Sequence, residues 1–132
     1  MSPIARIRLV PRLAAALLVL AAFSVHPATA QERVSFPSAD GTLLTGLWFQ
    51  PAGKGPFPAV VGLHGCSGLW NRRGGLQERE ADWVARLGAA GYAVLLPDSL
   101  RPRGLPSVCD RRIASLATRT RAADAFGAAA WL

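Results

Sequence analysis

The sequence predicts an α/β fold in three layers, a β-hairpin followed by a parallel strand–helix–strand–helix run. Three observations carry that prediction. Two near-continuous apolar runs, AVVGLH at Ala59–His64 and YAVLLP at Tyr92–Pro97, have the character of strands buried on both faces. A segment of helical periodicity, Leu76–Ala90, lies between them. Upstream, Asp40-Gly41 separates two shorter strand candidates, which is a hairpin signal.

The elements follow in order. Met1–Arg12 carries Arg6, Arg8 and Arg12 with no acid, Leu13–Phe23 is eleven apolar residues, and Ala28-Thr29-Ala30 closes the segment. A basic start, a short apolar run and a small-x-small exit are the parts of a secretory signal. A spanning helix needs roughly 20 apolar residues, so a membrane anchor is not expected. Arg6 and Arg8 are not adjacent, and no Cys lies near the cut, which argues against twin-arginine and lipidated leaders. The expected organisation is a signal peptide over 1–30 and one domain over 31–132, secreted or periplasmic.

Arg33–Pro37 and Leu43–Gln50 read as the hairpin strands, and Pro51–Pro58, with three Pro and two Gly, as a loop. Ala59–His64 follows, then a glycine-rich loop to Gly75. In the Leu76–Ala90 helix, Leu76, Trp83, Leu87 and Ala90 form the expected core stripe, and Gly91 is placed to end it with a left-handed cap. Tyr92–Pro97 is the second buried strand, and Asp98–Pro106 a loop in which Asp98 caps or braces. Asp110–Leu132 is Ala-rich and helical, with Ile113, Leu116, Thr120, Ala123, Gly127 and Trp131 expected toward a core. A single right-handed crossover makes the two buried strands parallel and brings the loops after them to one sheet edge, where α/β folds bind ligands. The last helix reaches Leu132 with no Gly, Asn or Pro to stop it, and the sheet is left with an open edge. The expectation is therefore the N-terminal part of a longer domain, marginally stable by itself.

Charge narrows the partners. Removing the three leader arginines from a chain of net charge +7 leaves +4. The remaining arginines are scattered and not interleaved with aromatics, so a nucleic-acid surface is not indicated. Two Cys and one His beyond the leader do not make a closed zinc site, and no metal is expected.

The stretch richest in chemistry is Pro58-Ala59-Val60-Val61-Gly62-Leu63-His64-Gly65-Cys66-Ser67-Gly68. A buried strand ending in His-Gly and small residues resembles the oxyanion loop of α/β-hydrolases. Asp82-Trp83, Leu87-Gly88-Ala89-Ala90-Gly91-Tyr92, Leu96-Pro97-Asp98-Ser99 with Arg101-Pro102-Arg103-Gly104, and Arg121-Ala122-Ala123-Asp124-Ala125 through Trp131-Leu132 extend the likeness in chain order. Together they resemble the N-terminal portion of the dienelactone hydrolase family.

The resemblance implies hydrolysis of an ester or lactone, a small-molecule substrate, through an acyl-enzyme and without cofactor. The Cys66 backbone N–H would stand in the oxyanion hole and His64 would support the loop. Arg101 and Arg103 would be placed to bind a substrate carboxylate, as an arginine in this loop does in dienelactone-cleaving members, and Trp70 would line the mouth. The family's Gly-x-Cys/Ser-x-Gly elbow, acid and late His have no counterpart in these residues, so no triad is assigned and the chain alone is expected to be inactive. His64-Gly65-Cys66-Ser67-Gly68 imitates an elbow, but His replaces the first Gly and the position is two strands early. Two alternatives stay open, a Cys66-dependent enzyme and a non-catalytic binding protein on the same fold. In the α/β-hydrolase fold the two buried strands are neighbours, so Cys66 and Cys109 leave the same edge. A Cys66–Cys109 disulfide is expected, against two unrelated buried thiols.

Overall fold

The computed structural model describes residues 30–132, with only the backbone of residues 111–117 described in the last helix. The expected signal segment, apart from Ala30, and the side chains of Ile113 and Leu116 lie outside the described residues. Strands β1 (Ala30–Pro37) and β2 (Leu43–Gln50) form the hairpin, in a register that sets Pro37 opposite Leu43. The turn closes through Ser38 N–H to Thr42 O (2.8 Å) and Gly41 N–H to Ser38 O (2.9 Å). Gly41 has φ +86°, a conformation that favours glycine, so Asp-Gly is the right pair there.

Strand β3 (Ala59–Val61), helix α1 (Glu78–Ala89), strand β4 (Ala93–Asp98) and helix α2 (Arg111–Trp131) complete the order. The four-stranded sheet runs β1-β2-β4-β3, with β2 antiparallel and β3 parallel to β4. All six residues of central β4 are buried, which explains its unbroken apolar run.

Side-chain parity shows the layers. Leu47, Phe49, Val94 and Leu96 point to one face and pack with Val84 and Leu87 of α1. Phe36, Leu44 and Leu95 point to the other face and pack with Ala128 of α2. The helices therefore cover opposite faces, giving the expected three layers. Gly127 lets α2 press onto the hairpin turn, since a Cβ there would come within 2.3 Å of Pro37 O.

Four details differ from expectation. The ladder of β3 is shorter than AVVGLH, because the chain bends away after Gly62 N–H bonds Leu95 O (2.9 Å). The buried face of α1 is Glu80, Val84 and Leu87, whereas Trp83 is 57% exposed and Ala90 is exposed. The reason is that Glu80 turns inward to a backbone partner and sets the phase of the helix. Trp131 is 39% exposed and caps the core edgewise, its ring 5.6 Å from Trp48 and 6.0 Å from Phe36. Arg101–Arg103, expected as loop, forms a single 3₁₀ turn.

Candidate active site

The loops after β3 and β4 share one sheet edge, as a parallel pair requires. His64 leads the first of them and is 1% exposed. Ser99 N–H, just past β4, donates to its Nε2 (3.2 Å), so that nitrogen carries no proton. Nδ1 then bears the proton and donates to Gly65 O (2.7 Å). The ring is neutral and cross-links the two loops. Burial, aided by the Arg121 charge, pushes its pKa below the ordinary 6.5, against the opposing Gly65 hydrogen bond and the charges of Asp98 and Glu80.

A pH dependence follows. Above the unfolded-state pKa neither state binds the proton and stability is level. As pH falls below it, the unfolded chain takes up a proton that native His64 refuses, and stability is lost. Urea midpoints are expected to show a loss of roughly 1 kcal/mol between about pH 7.5 and about pH 5.5 that is absent from His64→Gln. Equal pH slopes in the two proteins would reject the assignment.

The next peptide is aimed by the same bond. Gly65 C=O points at the His64 ring and also accepts Gly68 N–H (3.2 Å). A trans peptide directs its N–H opposite to its C=O. The Cys66 N–H therefore points away from the buried imidazole, and no group among the described residues accepts from it. The Cys66 carbonyl is held by Val108 N–H (2.9 Å) and the Ser107 hydroxyl (3.2 Å). A disulfide joins Cys66 to Cys109, with α-carbons 4.8 Å apart across a sequence separation of 43.

The next residues of the loop, Ser67 and Gly68, line a cavity of about 230 Å³ together with Trp70, Asp98 and Arg101. Asp98 braces it, as expected. Its Oδ2 accepts Trp70 Nε1–H (2.6 Å), and its Oδ1 accepts Leu100 N–H and Arg101 N–H (3.1 Å each). The guanidiniums of Arg101 and Arg33 lie 4.8 and 4.9 Å from the Trp70 ring centroid, within cation–π range. Trp70 and Arg101 thus line the cavity, and Arg33 of β1 lies over the Trp70 ring.

Arg103 does not. Its guanidinium is 14% exposed and forked onto Asp124 (2.7 and 3.0 Å), with further bonds to Asp40 (2.9 Å) and Ser99 O (2.8 Å). The 3₁₀ turn sends Arg101 to the cavity and Arg103 to Asp124 of α2, so Arg103 is a structural tie and does not line the cavity. The Cys66 sulfur is bonded to Cys109, and both His64 nitrogens are engaged. Neither pair of atoms is a nucleophile with its base.

Sequence reading missed two loop partners. Glu80 Oε1 accepts Gly65 N–H (3.3 Å), and Arg121 donates to the His64 carbonyl. The available signal was a charge falling on an otherwise core-facing helix stripe. Among the described residues no His/Cys/Asp/Glu cluster could hold a metal ion, and no helix is long and apolar enough to cross a membrane.

No family model matches the chain, and no curated protein matches it. Among solved structures, m3DLH aligns with a TM-score of 0.54 and 23% identity, over 76% of this chain and 41% of that one. A dienelactone hydrolase-like promiscuous phosphotriesterase from metagenomic libraries aligns with a TM-score of 0.51 and 25% identity, over 76% of this chain and 42% of that one. The chain thus spans about two fifths of the length of these neighbours. With its hairpin, parallel β3/β4 pair and helices on both faces, it has an α/β-hydrolase-type fold.

Proposed function

We propose that the chain supplies the oxyanion loop and part of the substrate cavity of a dienelactone hydrolase-type enzyme that cleaves esters or lactones through an acyl-enzyme. The observation that carries this is the Cys66 N–H, without an acceptor among the described residues, in a loop whose next residues, Ser67 and Gly68, line a cavity at the C-terminal edge of the strands. Acyl transfer places negative charge on the carbonyl oxygen, and a preoriented N–H stabilises it as it forms, which is typically worth about 10²–10³ in rate. The second donor in such enzymes is the N–H after the nucleophile, and residues 31–132 contain no elbow to provide it. Arg101, held against Trp70, places positive charge at the cavity and favours substrates carrying a carboxylate.

The test has two arms. The 132-residue chain is expected to show no p-nitrophenyl acetate hydrolysis above a matched denatured control, and turnover abolished by Cys66→Ser would favour the Cys66-dependent alternative. Reading the gene past the Leu132 codon and assaying its product supplies the second arm. An elbow, a late His and ester hydrolysis support the proposal, while their absence favours the non-catalytic binding protein. Export belongs to the same reading. N-terminal sequencing of exported material is expected to begin at Gln31, and an intact Met1 would reject it.

A further inference from the structure

One peptide group, His64–Gly65, is gripped at both ends by charged side chains from the two helices. At its N–H end stands Glu80 of α1, a carboxylate 6% exposed, with Oε1 3.3 Å from Gly65 N. At its carbonyl end stands Arg121 of α2, whose guanidinium donates to His64 O. The helices lie on opposite faces of the sheet, yet both reach this peptide. The charges match the peptide dipole, negative toward its N–H and positive toward its C=O, so both hydrogen bonds are charge-assisted.

The geometry around Glu80 is specific to this contact. As the third residue of α1 it is placed to return to the helix's own N-terminus, as a capping box would have it. It bonds the loop instead. Gln77, at the N-cap, also reaches out, donating to Trp70 O (3.2 Å). Arg79 Nη2 bonds Glu80 Oε1 (2.9 Å) and would stand 2.5 Å from a Cβ on residue 65, so a larger residue there would push this exposed guanidinium aside. Glycine is also the residue whose flanking peptides rotate most freely. A loop with glycine at this position needs other groups to fix its direction.

We propose that Glu80 and Arg121 are positioning residues of the oxyanion loop: by clamping the His64–Gly65 peptide at its N–H and C=O, they act with the His64 Nδ1–Gly65 O bond to hold the direction of the following N–H, that of Cys66. This rests on the function proposed above. Without the clamp the His64–Gly65 peptide loses both of its side-chain bonds, and the Gly65–Cys66 peptide is left to the bonds that Gly65 O accepts from His64 Nδ1–H and Gly68 N–H; a reversed peptide presents a carbonyl to the developing oxyanion, which repels it.

Amide hydrogen exchange and line widths in the ¹⁵N-labelled 132-residue chain test this. Glu80→Leu fills an apolar-flanked position but accepts no hydrogen bond, and Glu80→Gln keeps an acceptor without charge. In Glu80→Leu the Gly65 amide is expected to exchange at least about tenfold faster and the Cys66 amide to broaden, while Val94–Leu96 keep their protection. Glu80→Gln is expected to retain most of the Gly65 protection, and Arg121→Ala to broaden Cys66 as Glu80→Leu does. Unchanged Gly65 and Cys66 amides in Glu80→Leu would overturn the proposal, and so would uniform loss of protection across β4 in both Glu80 variants. In an ester-hydrolysing gene product, Glu80→Leu is expected to lower kcat about tenfold or more with KM unchanged. Amide changes without any hydrolysis would reject the proposed function and leave the clamp standing. Hydrolysis with kcat indifferent to Glu80→Leu would reject the clamp alone.

Discussion

Arg103→Ala is expected to lower the unfolding free energy by about 3–5 kcal/mol, measured from the urea midpoint at constant slope. Its partner Asp124 is 0% exposed and lies in the middle of α2. The two parallel N–H···O bonds between them, 2.7 and 3.0 Å, are the fork that suits guanidinium and carboxylate. Burial pulls the Arg103 pKa down, but its bonds to Asp124 and Asp40 carry it above the ordinary value.

Removing the arginine leaves the Asp124 carboxylate buried without its cation and leaves Ser99 O without its donor. The Asp40 contact adds little to this effect, because that carboxylate sits at the exposed hairpin turn, where salt and water screen it. The Asp40 carboxyl is held well below the usual carboxylate range, chiefly by the Thr42 backbone N–H. The pair's value lies in not being broken. Arg103→Met with Asp124→Leu is expected to recover most of the loss, since apolar residues of similar volume replace a buried pair at small cost. A single-variant loss under about 1 kcal/mol would show that the buried carboxylate finds water or another donor, and would return Arg103 to the list of substrate contacts.

The contrast between Arg101 and Arg103 marks what the sequence could show. Two arginines two residues apart in a Pro/Gly loop read alike, and only the 3₁₀ turn decides which faces the cavity. The hairpin was legible because Asp-Gly supplies a left-handed glycine where a tight turn needs one. Strand β4 was legible because burial on both faces demands a continuous apolar run, and it meets that demand at every position, whereas edge strand β3, read the same way, is exposed at Ala59 and half-buried at Val60 and Val61. The phase of α1 was not. Trp83 outweighs Val84 as an apolar residue, so a stripe drawn on hydrophobicity passes through Trp83. The helix instead turns Glu80 inward to Gly65, and Val84, four residues on, follows it. A charged side chain with a backbone partner carries no apolar signal, which is also why Glu80 and Arg121 escaped notice as loop partners. His64 and Cys66 were visible because they sit at a strand end among small residues, although the direction of the Cys66 N–H appears only with the His64 tautomer.

Replacing Cys66 and Cys109 together by Ala is expected to cost on the order of 4 kcal/mol, comparable with the loss of Arg103 and different in origin. The bridge closes a loop of 43 residues that contains α1 and β4 and ties together the segments that follow two neighbouring strands, β3 and β4. Its effect falls mainly on the unfolded chain, whose ends it keeps together, so residual structure there reduces the loss. The native loops also change. Cys66 O keeps its bonds from Val108 N–H and the Ser107 hydroxyl, but nothing covalent then holds the 105–109 segment against the oxyanion loop. Both cysteines are exposed, so a dithiol reductant has access without unfolding the protein. Reduction is therefore expected to lower the thermal midpoint of the wild-type chain and to leave the double Ala variant unmoved. Thiol titration of exported, denatured protein never exposed to reductant is expected to find no free thiol. Two free thiols per chain, or a midpoint indifferent to reductant, would remove the bridge from the account of how this loop is held.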